Sequence, residues 1–260
     1  MQKLISIDLF ADFGMLKKPD TNEPVYLTFN MLHKPALLGI LGAITGESGF
    51  REKGKLPDYY IKLKDIQLGI QPLKHERGNY AKTIITYNNT TGMASKEQGG
   101  NLMITEQTLI APAYRCYFMI EMESSLHQKI DNYLSGYQAE YLPYLGKNEF
   151  SVWWENYREY TNFKEFEAEE SFKISSIYIK ETPLSEGKDI QPYLPYFDNN
   201  PDGNSFSYFE RLPIGYIEIA KGIFQYDYKS FAYTDWSLKT EYKSPNVLIK
   251  INDNEIIQVF

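Results

Sequence analysis

The side chains most able to do chemistry in this sequence are basic and aromatic groups that precede residue 100. Lysine and arginine bind phosphate groups, and flat rings stack on unpaired bases, so such a set is typical of proteins that hold single-stranded RNA. The plain alternative is a scatter of ordinary surface residues. The candidates for RNA binding are Lys17, Lys18, Tyr26, His33, Lys34, Lys74, His75, Arg77, Tyr80, Lys82 and Lys96.

The charge of the chain is unevenly distributed. The net charge of −7 argues against a nucleic-acid binder, whose surface is normally basic. Residues 1–115, however, carry 14 Lys+Arg against 11 Asp+Glu, a charge of +3, and the remainder carries −10. A polyanion would therefore contact the N-terminal half, which leaves the acidic remainder for solubility or for a basic protein partner.

The residue types of a catalytic or metal site do not occur at the required spacings. His33, His75 and His127 make no metal-type spacing, and the single cysteine, Cys116, can build neither a zinc site nor an internal disulfide. No Gly-x-Ser-x-Gly elbow is present, and no glycine-rich loop is followed by a Lys-Ser or Lys-Thr pair. The acidic run at residues 165–170 has the composition of a solvated face. We predict no catalytic residue, no metal and no cofactor.

The elements that must position the basic groups begin with a strand and a helix. Residues 4–10 form an apolar strand pattern, and residues 33–44 predict a helix with Pro35 in its first turn, where a missing N–H has no partner. Its start carries His33 and Lys34 beside free backbone N–H groups, which attract anions. Gly39 and Gly42 provide a flat stripe for a second backbone or for RNA, and the sequence leaves both uses open.

The following elements predict the fold class. Strands are indicated at residues 58–70, 82–87, 104–111 and 114–122, a helix at 124–135 with Gly136 as its stop, and a tight turn at 145–149 before a strand at 150–154. Residues 87–101 have the composition of a long functional loop. The order strand, helix, strand, strand, helix, strand predicts an α+β protein with a ferredoxin-like domain, a four-stranded antiparallel sheet carrying two helices on one face.

The chain changes character after residue 160. Strand patterns occur at residues 172–179, 215–220, 224–233, 247–251 and 255–259, with a hairpin turn at 252–254 and a segment rich in Pro, Asp, Asn and Gly at 182–207. We predict two parts, residues 1–160 and a smaller β-rich part at 161–260 without a helix. With neither a leader pattern nor a run of about 20 apolar residues, we expect a cytoplasmic protein that does not bind membranes.

Several segments resemble one known family. FADFGMLKKP at residues 10–19 and HKPALLGILGAITG at 33–46 are similar to the N-terminal signature of the Cas-five family, the CRISPR-associated RAMP subunits of type I Cascade complexes. TEQTLIAPAYRCY at 105–117 resembles the strand pair after the family's thumb, and YLGKNEF at 144–150 resembles its YLGKSEF turn. ERLPIGY at 210–216 is similar to the type I-B branch.

This resemblance implies a role in antiviral defence. Family members have a ferredoxin-like (RRM/RAMP) domain with a β-hairpin thumb, here at about residues 67–101, and a variable β-rich C-terminal part. They cap the 5′ handle of the guide RNA (crRNA) and contact the large subunit and the backbone subunits of the Cas-seven type, and through the complex they meet target DNA. The candidates above would then bind the handle, and Arg115 joins them because it lies in the resembling strand pair.

Two alternatives stay open. One subtype of the family cuts precursor crRNA without a metal, using a tyrosine, a lysine and a histidine, but here the only Lys-His dipeptide is Lys74-His75, before the flexible loop. We therefore expect a protein that is not an enzyme. From a different class, a tyrosine-rich β protein that binds carbohydrate or protein would account for the 22 tyrosines, and it would co-purify without nucleic acid.

Overall fold

The computed structural model describes residues 2–19, 24–89, 102–180, 197, 205–252 and 255–260. Over these residues the protein is α+β and mostly β, with several small antiparallel sheets. Its elements are β1 (Gln2–Ala11), β2 (Phe13–Gly14), α1 (Lys34–Thr45), α2 (Asp58–Leu63), β3 (Leu68–Leu73), β4 (Lys82–Asn89), β5 (Leu102–Ile110), β6 (Ala113–Glu121), α3 (Ser125–Ser135), β7 (Val152–Tyr160), β8 (Phe163–Glu165), β9 (Tyr178–Ile179), β10 (Ser207–Ala220), β11 (Ile223–Thr234), β12 (Leu248–Ile251) and β13 (Glu255–Gln258).

A four-stranded antiparallel sheet organises the N-terminal part. Its strand order is β3-β6-β1-β7, and the chain reaches these strands in the order β1, α1, β3, β6, α3, β7. The odd-numbered side chains Ile5, Ile7 and Leu9 of β1 lie in one core cluster with residues of α1 and α3, so both helices cover the same face. The predicted α+β class and the antiparallel four-stranded sheet are confirmed.

Helix α1 forms where its sequence signals place it. His33 is the N-cap, and its side chain accepts a hydrogen bond from the backbone N–H of Ala36. Pro35 lies in the first turn, and Gly46 closes the helix in the left-handed conformation (φ 78°), donating its N–H to the last turn. The predicted strand and helix of the first 46 residues are both confirmed.

The strand predicted at residues 58–70 is wrong over its first half. Residues Asp58–Leu63 form α2, and the strand begins only at Leu68. The buried side chains are Tyr60 and Leu63, three apart, whereas Ile61 is 54% exposed. The alternation of lysines with apolar residues therefore did not mark a buried face, and the spacing of three is that of a helix.

The opposite face of the sheet is covered in part by three short strands. Strands β12 and β13 pair with each other, and β12 pairs with β8. Apolar residues of β12 and β13, such as Ile249 and Ile257, pack with Leu4, Tyr117 and Met119 of the sheet. The end of the face near Phe10 lies outside this cluster.

No helix of the described residues is long and apolar enough to cross a membrane.

Two hairpins extend from this core. Strands β4 and β5 pair from Lys82 opposite Leu109 to Asn89 opposite Leu102, and β5 also pairs with β2. Strands β10 and β11 form a second, longer hairpin. No helix follows residue 160 within the described residues. The predicted strand at 172–179 is reduced to Tyr178–Ile179, with a single bridge at Phe172.

Some predictions lie wholly or partly outside the described residues. They are Lys96, most of the loop at 87–101, part of the thumb range 67–101, most of the segment at 182–207 and the turn at 252–254. Strand β3, at the start of the thumb range, belongs to the central sheet. The division into residues 1–160 and 161–260 stays a prediction; one core cluster contains residues of both ranges, for instance Leu37 and Phe231.

Candidate nucleic-acid interface

A groove of about 850 Å³ runs along the exposed side of α1, and we call it the α1 groove. Its walls are the segment between β2 and α1, the connection from α1 to α2, the connection from α3 to β7, the β4–β5 hairpin, and β10 with β11. The lining residues are Met15, Leu16, Lys17, Tyr26, His33, Pro35, Ala36, Gly39, Ile40, Ala43, Glu47, Ser48, Gly49, Phe50, Arg51, Tyr59, Tyr87, Glu106, Tyr141, Leu142, Tyr144, Gly146, Lys147, Tyr216 and Tyr226.

The floor of the groove is a stripe of small residues on α1. Ala36, Gly39 and Ala43 recur at helical spacing, and all three are partly exposed. Gly42, in contrast, is buried, and a Cβ there would lie 2.5 Å from the Cβ of Tyr59. The two glycines thus have different uses: Gly42 lets α1 and α2 pack closely, while Gly39 faces the groove.

Cations on the walls lie over aromatic rings. The ammonium of Lys17 is 3.6 Å from the ring centre of Tyr26, and that of Lys147 is 4.4 Å from the ring centre of Tyr87. Lys147 also forms an ion pair of 2.7 Å with the buried carboxylate of Glu106, which raises the pKa of the lysine although burial opposes it. Lys147 therefore stays charged at neutral pH beside the Tyr87 ring.

The far wall is formed by neutral phenols. Tyr216 and Tyr226 stack with ring centres 5.0 Å apart. Burial, together with neighbouring tyrosines, raises the pKa of Tyr59 to about 12 and that of Tyr216 still further. These hydroxyls therefore keep their protons at physiological pH and can donate hydrogen bonds to a phosphate or a base edge.

His33 reaches the groove without a positive charge. Its Nδ1 accepts from the backbone N–H of Ala36 at 3.3 Å, and its ring lies edge-on to Phe29 and Tyr226. Burial lowers its pKa to about 3, so the imidazole is neutral and serves as a helix cap.

The structure does not bring Lys34 to the groove. Its ammonium donates to the backbone oxygen of Phe260 at 3.0 Å, and the residue lines a separate cavity of about 340 Å³. Burial lowers the pKa of Lys34 to about 8, although the charge of Asp65 opposes this shift. His33 is the N-cap and has an extended backbone (φ −119°, ψ 158°), whereas Lys34 is the first residue of the helix, so the two side chains diverge.

Lys18 and Lys82 belong to a second cluster around Glu210. The ammonium of Lys18 lies 3.2 Å from the Glu210 carboxylate, which also accepts the backbone N–H groups of Asn30 and Met31. Lys82 donates to the side-chain oxygen of Asn30 at 2.6 Å. These lysines join the N-terminal part to β10.

The other predicted residues lie elsewhere. Lys74 and Arg115 are on the side of the central sheet away from the helices, where Arg115 binds Asp8 through two nitrogens at 2.6 and 3.1 Å. His75 bonds Tyr233 Oη at 2.9 Å and accepts the Gly78 N–H. Arg77 is exposed, and Tyr80 is buried with its hydroxyl on the Ala113 carbonyl.

Of the predicted set, then, the structure brings only Lys17, Tyr26 and His33 to the α1 groove. Sequence reasoning missed the other groove residues that carry charge or a ring. A signal existed for Lys147, which lies in the YLGKNEF turn, but Arg51 and most of the tyrosines had none. The missed residues are Glu47, Phe50, Arg51, Tyr59, Tyr87, Glu106, Tyr141, Tyr144, Lys147, Tyr216 and Tyr226.

Comparisons with known proteins were made by sequence and by structure. No protein-family model and no curated protein matches the sequence. The structure is similar to a Cas protein (14% identity, TM-score 0.35) over 56% of this chain and 57% of that chain. It is also similar to a chain of a CRISPR RNA-guided surveillance complex (8%, 0.48; 92% and 91% covered) and to a CRISPR protein from Archaeoglobus fulgidus (10%, 0.49; 100% and 99% covered). All three TM-scores lie below 0.5, so these similarities do not assign a function to the chain.

Within the described residues, no group of three or more His, Cys, Asp or Glu side chains could hold a metal ion. The α1 groove is instead built from cations, tyrosine side chains and a floor of small residues.

Proposed function

We propose that this chain is a non-catalytic crRNA-binding subunit of a type I CRISPR Cascade complex, of the Cas-five family and its type I-B branch. Its ferredoxin-like RAMP domain would cap the 5′ handle of the guide RNA, with the β4–β5 hairpin as the thumb. Its partners would be the large subunit and the Cas-seven type backbone subunits. The resembling segments at residues 10–19, 33–46, 105–117 and 144–150 support this assignment.

The observation that carries the proposal is the α1 groove between the first helix and the hairpin. Lys17 and Arg51 are exposed cations on its rim, and Tyr26 and Tyr87 present rings near its mouth. Single-stranded RNA needs this combination, because its phosphates bind cations while its unstacked bases bind aromatic faces. An acidic chain could bind RNA in this groove, because the cations that would contact the phosphates are concentrated on its rim.

A double variant tests the groove. Replacing Lys17 and Arg51 with alanine removes two phosphate contacts, and we expect affinity for RNA of the host's repeat sequence to fall about tenfold, with a salt slope reduced by about two. Filter binding at several salt concentrations measures both quantities. Replacing the exposed Lys173 and Lys221 removes the same charge from the C-terminal part and should change binding much less.

Two outcomes would contradict this use of the groove. The first is equal loss in the groove variant and the Lys173/Lys221 control, which would mean that only net charge matters. The second is recovery of the protein from its host without nucleic acid, read from the ultraviolet absorbance ratio. That result would favour the carbohydrate- or protein-binding alternative.

The proposed absence of catalysis has a physical basis. Cleavage through the 2′-hydroxyl needs a general base and a proton donor. In the groove, the Nδ1 of His33 is occupied by the helix cap, and burial lowers its pKa to about 3, which makes the imidazole a weak base and leaves it without a second proton to donate. Both ring nitrogens of His75 have partners in the Gly78 N–H and the Tyr233 hydroxyl, and burial lowers the pKa of His75.

An RNA cleavage assay tests this directly. The purified chain is incubated with repeat RNA in EDTA, and we expect the RNA to remain intact. Because EDTA removes metal-dependent contaminants, any remaining activity would belong to a metal-free site. Specific cleavage that His75→Ala abolishes would establish the ribonuclease alternative instead.

A further inference from the structure

A second candidate site lies on the central sheet, on the face away from α1 and α3. Phe10 of β1 and Trp153 of β7 are directly paired across the strands, and their rings stack with centres 6.0 Å apart at 27°. Trp153 is 42% exposed, and Phe10 is half-buried. The two rings form a flat apolar surface at the end of the face that lies outside the β12–β13 cluster.

Cations surround this surface. The ammonium of Lys74 lies 4.6 Å from the ring centre of Phe10. Further along the same face, Arg115 binds Asp8, and the Arg158 guanidinium, 43% exposed, lies 4.0 Å from the same carboxylate. Asp8 and its cross-strand partner Glu155 carry two negative charges on this face against the three positive charges of Arg115, Arg158 and Lys74. The net positive charge around the rings suits an anionic ligand.

The turn that carries Lys74 contains two basic residues with a strained backbone. Lys74 and Arg77, in the connection from β3 to β4, both have left-handed backbones, with φ of 50° and 49°. Each costs about 1 kcal/mol or more for a residue with a Cβ. Strain at two exposed basic positions in one turn is typical of a ligand-contacting segment.

We propose that Phe10, Trp153 and Lys74 form a base-stacking platform for single-stranded RNA, separate from the α1 groove. A base would stack on the exposed Trp153 ring, and a neighbouring phosphate would bind Lys74, because rings supply sequence-tolerant contact and lysine supplies charge. Lys147, in contrast, belongs to the groove, where it contacts Tyr87 and lies 5.6 Å from the ring centre of Phe150.

Trp153 itself reports occupancy of the platform, because a base stacked on an indole quenches its fluorescence. Titration of the full chain with hexa-adenylate should give saturable quenching. Trp153→Phe keeps a ring, and it should bind labelled hexa-adenylate with nearly unchanged anisotropy while the quenching disappears. Trp153→Ala should lose about tenfold in affinity. Lys74→Ala should reduce the salt slope by about one, and Lys221→Ala should leave it unchanged.

The same titration separates this site from the groove. The Lys17/Arg51 double variant should keep the Trp153 quenching, so failure of the groove proposal leaves this result intact, and the reverse also holds. Absence of quenching in the folded wild type would overturn the platform, as would equal affinity in Trp153→Ala and Trp153→Phe. If Trp153→Ala abolished association with partner subunits without changing RNA binding, the surface would be a protein contact and the proposal would be wrong.

Discussion

Replacing Gly146 with alanine is expected to lower the free energy of unfolding by about 3 kcal/mol. Gly146 has φ of 84°, and a Cβ there would overlap with the backbone carbonyl oxygen of Met15 and lie 2.7 Å from its carbonyl carbon. A backbone group cannot rotate away as a side chain can. The turn would have to move, and the hydrogen bond of 3.1 Å from Met15 N–H to the Leu145 carbonyl would be lost with it.

The same substitution should also disturb the α1 groove. Lys147 follows directly, and its ammonium connects the turn to the hairpin through Glu106 and, at 3.1 Å, through the Tyr87 hydroxyl. Urea denaturation followed by circular dichroism measures the loss of stability. Gly49→Ala is the matched control: this groove glycine has nothing within 4 Å of the added Cβ, and we expect a change below about 0.5 kcal/mol. Equal midpoints for the two variants would refute the packing argument.

Replacing Asp8 with alanine is expected to cost about 3 kcal/mol, because it leaves a largely buried guanidinium without its partner. The Asp8 side chain is 5% exposed and that of Arg115 18%. Asn156 also donates to the Asp8 carboxylate, at 2.9 Å. A companion double variant, Asp8→Leu with Arg115→Met, removes both charges and should recover more than half of the loss. If the double variant were no more stable than Asp8→Ala, the cost would come from packing and not from the unpaired charge.

The pH dependence of this pair follows from the direction of its pKa shift. Burial would raise the pKa of Asp8, but hydrogen bonds from Arg115 and Asn156 and the charges of Arg115 and Arg158 outweigh it, so the pKa lies below its usual value. A carboxyl with a lowered pKa stabilises the fold above its unfolded pKa of about 3.9 and loses that contribution as pH falls through the folded pKa. The difference in stability between wild type and Asp8→Ala should therefore narrow below about pH 4.

Local signals in the sequence were enough to predict much of the framework. The alternation along β1, the cap and proline of α1, and Ser124 before α3 act within one or two turns of chain, so a single sequence carries them. The strand prediction was wrong at residues 58–63, because lysines and apolar residues alternate there by chance. The segment instead forms a helix that buries Tyr60 and Leu63 against the core.

Local sequence signals predicted only part of the candidate site. Lys17 and Tyr26 were found because basic and aromatic residues near a helix start are visible in sequence. The direction in which a lysine side chain points, however, cannot be predicted from local signals. Lys34 follows His33 directly, yet it binds the backbone of Phe260, a contact across 226 positions that no local pattern encodes.

The sequence by itself therefore determined most strands and helices of the N-terminal part, the basic character of the first half and the motifs on which the proposed function depends. Only the tertiary structure decided which of those cations share a surface. The α1 groove draws its walls from five separate segments, and the stacked rings of Phe10 and Trp153 meet because two strands pair in one register. Phe10 and Trp153 lie more than a hundred positions apart in the chain. Which residues meet in such contacts depends on the packing of the whole core, so it cannot be predicted from any single segment of the sequence.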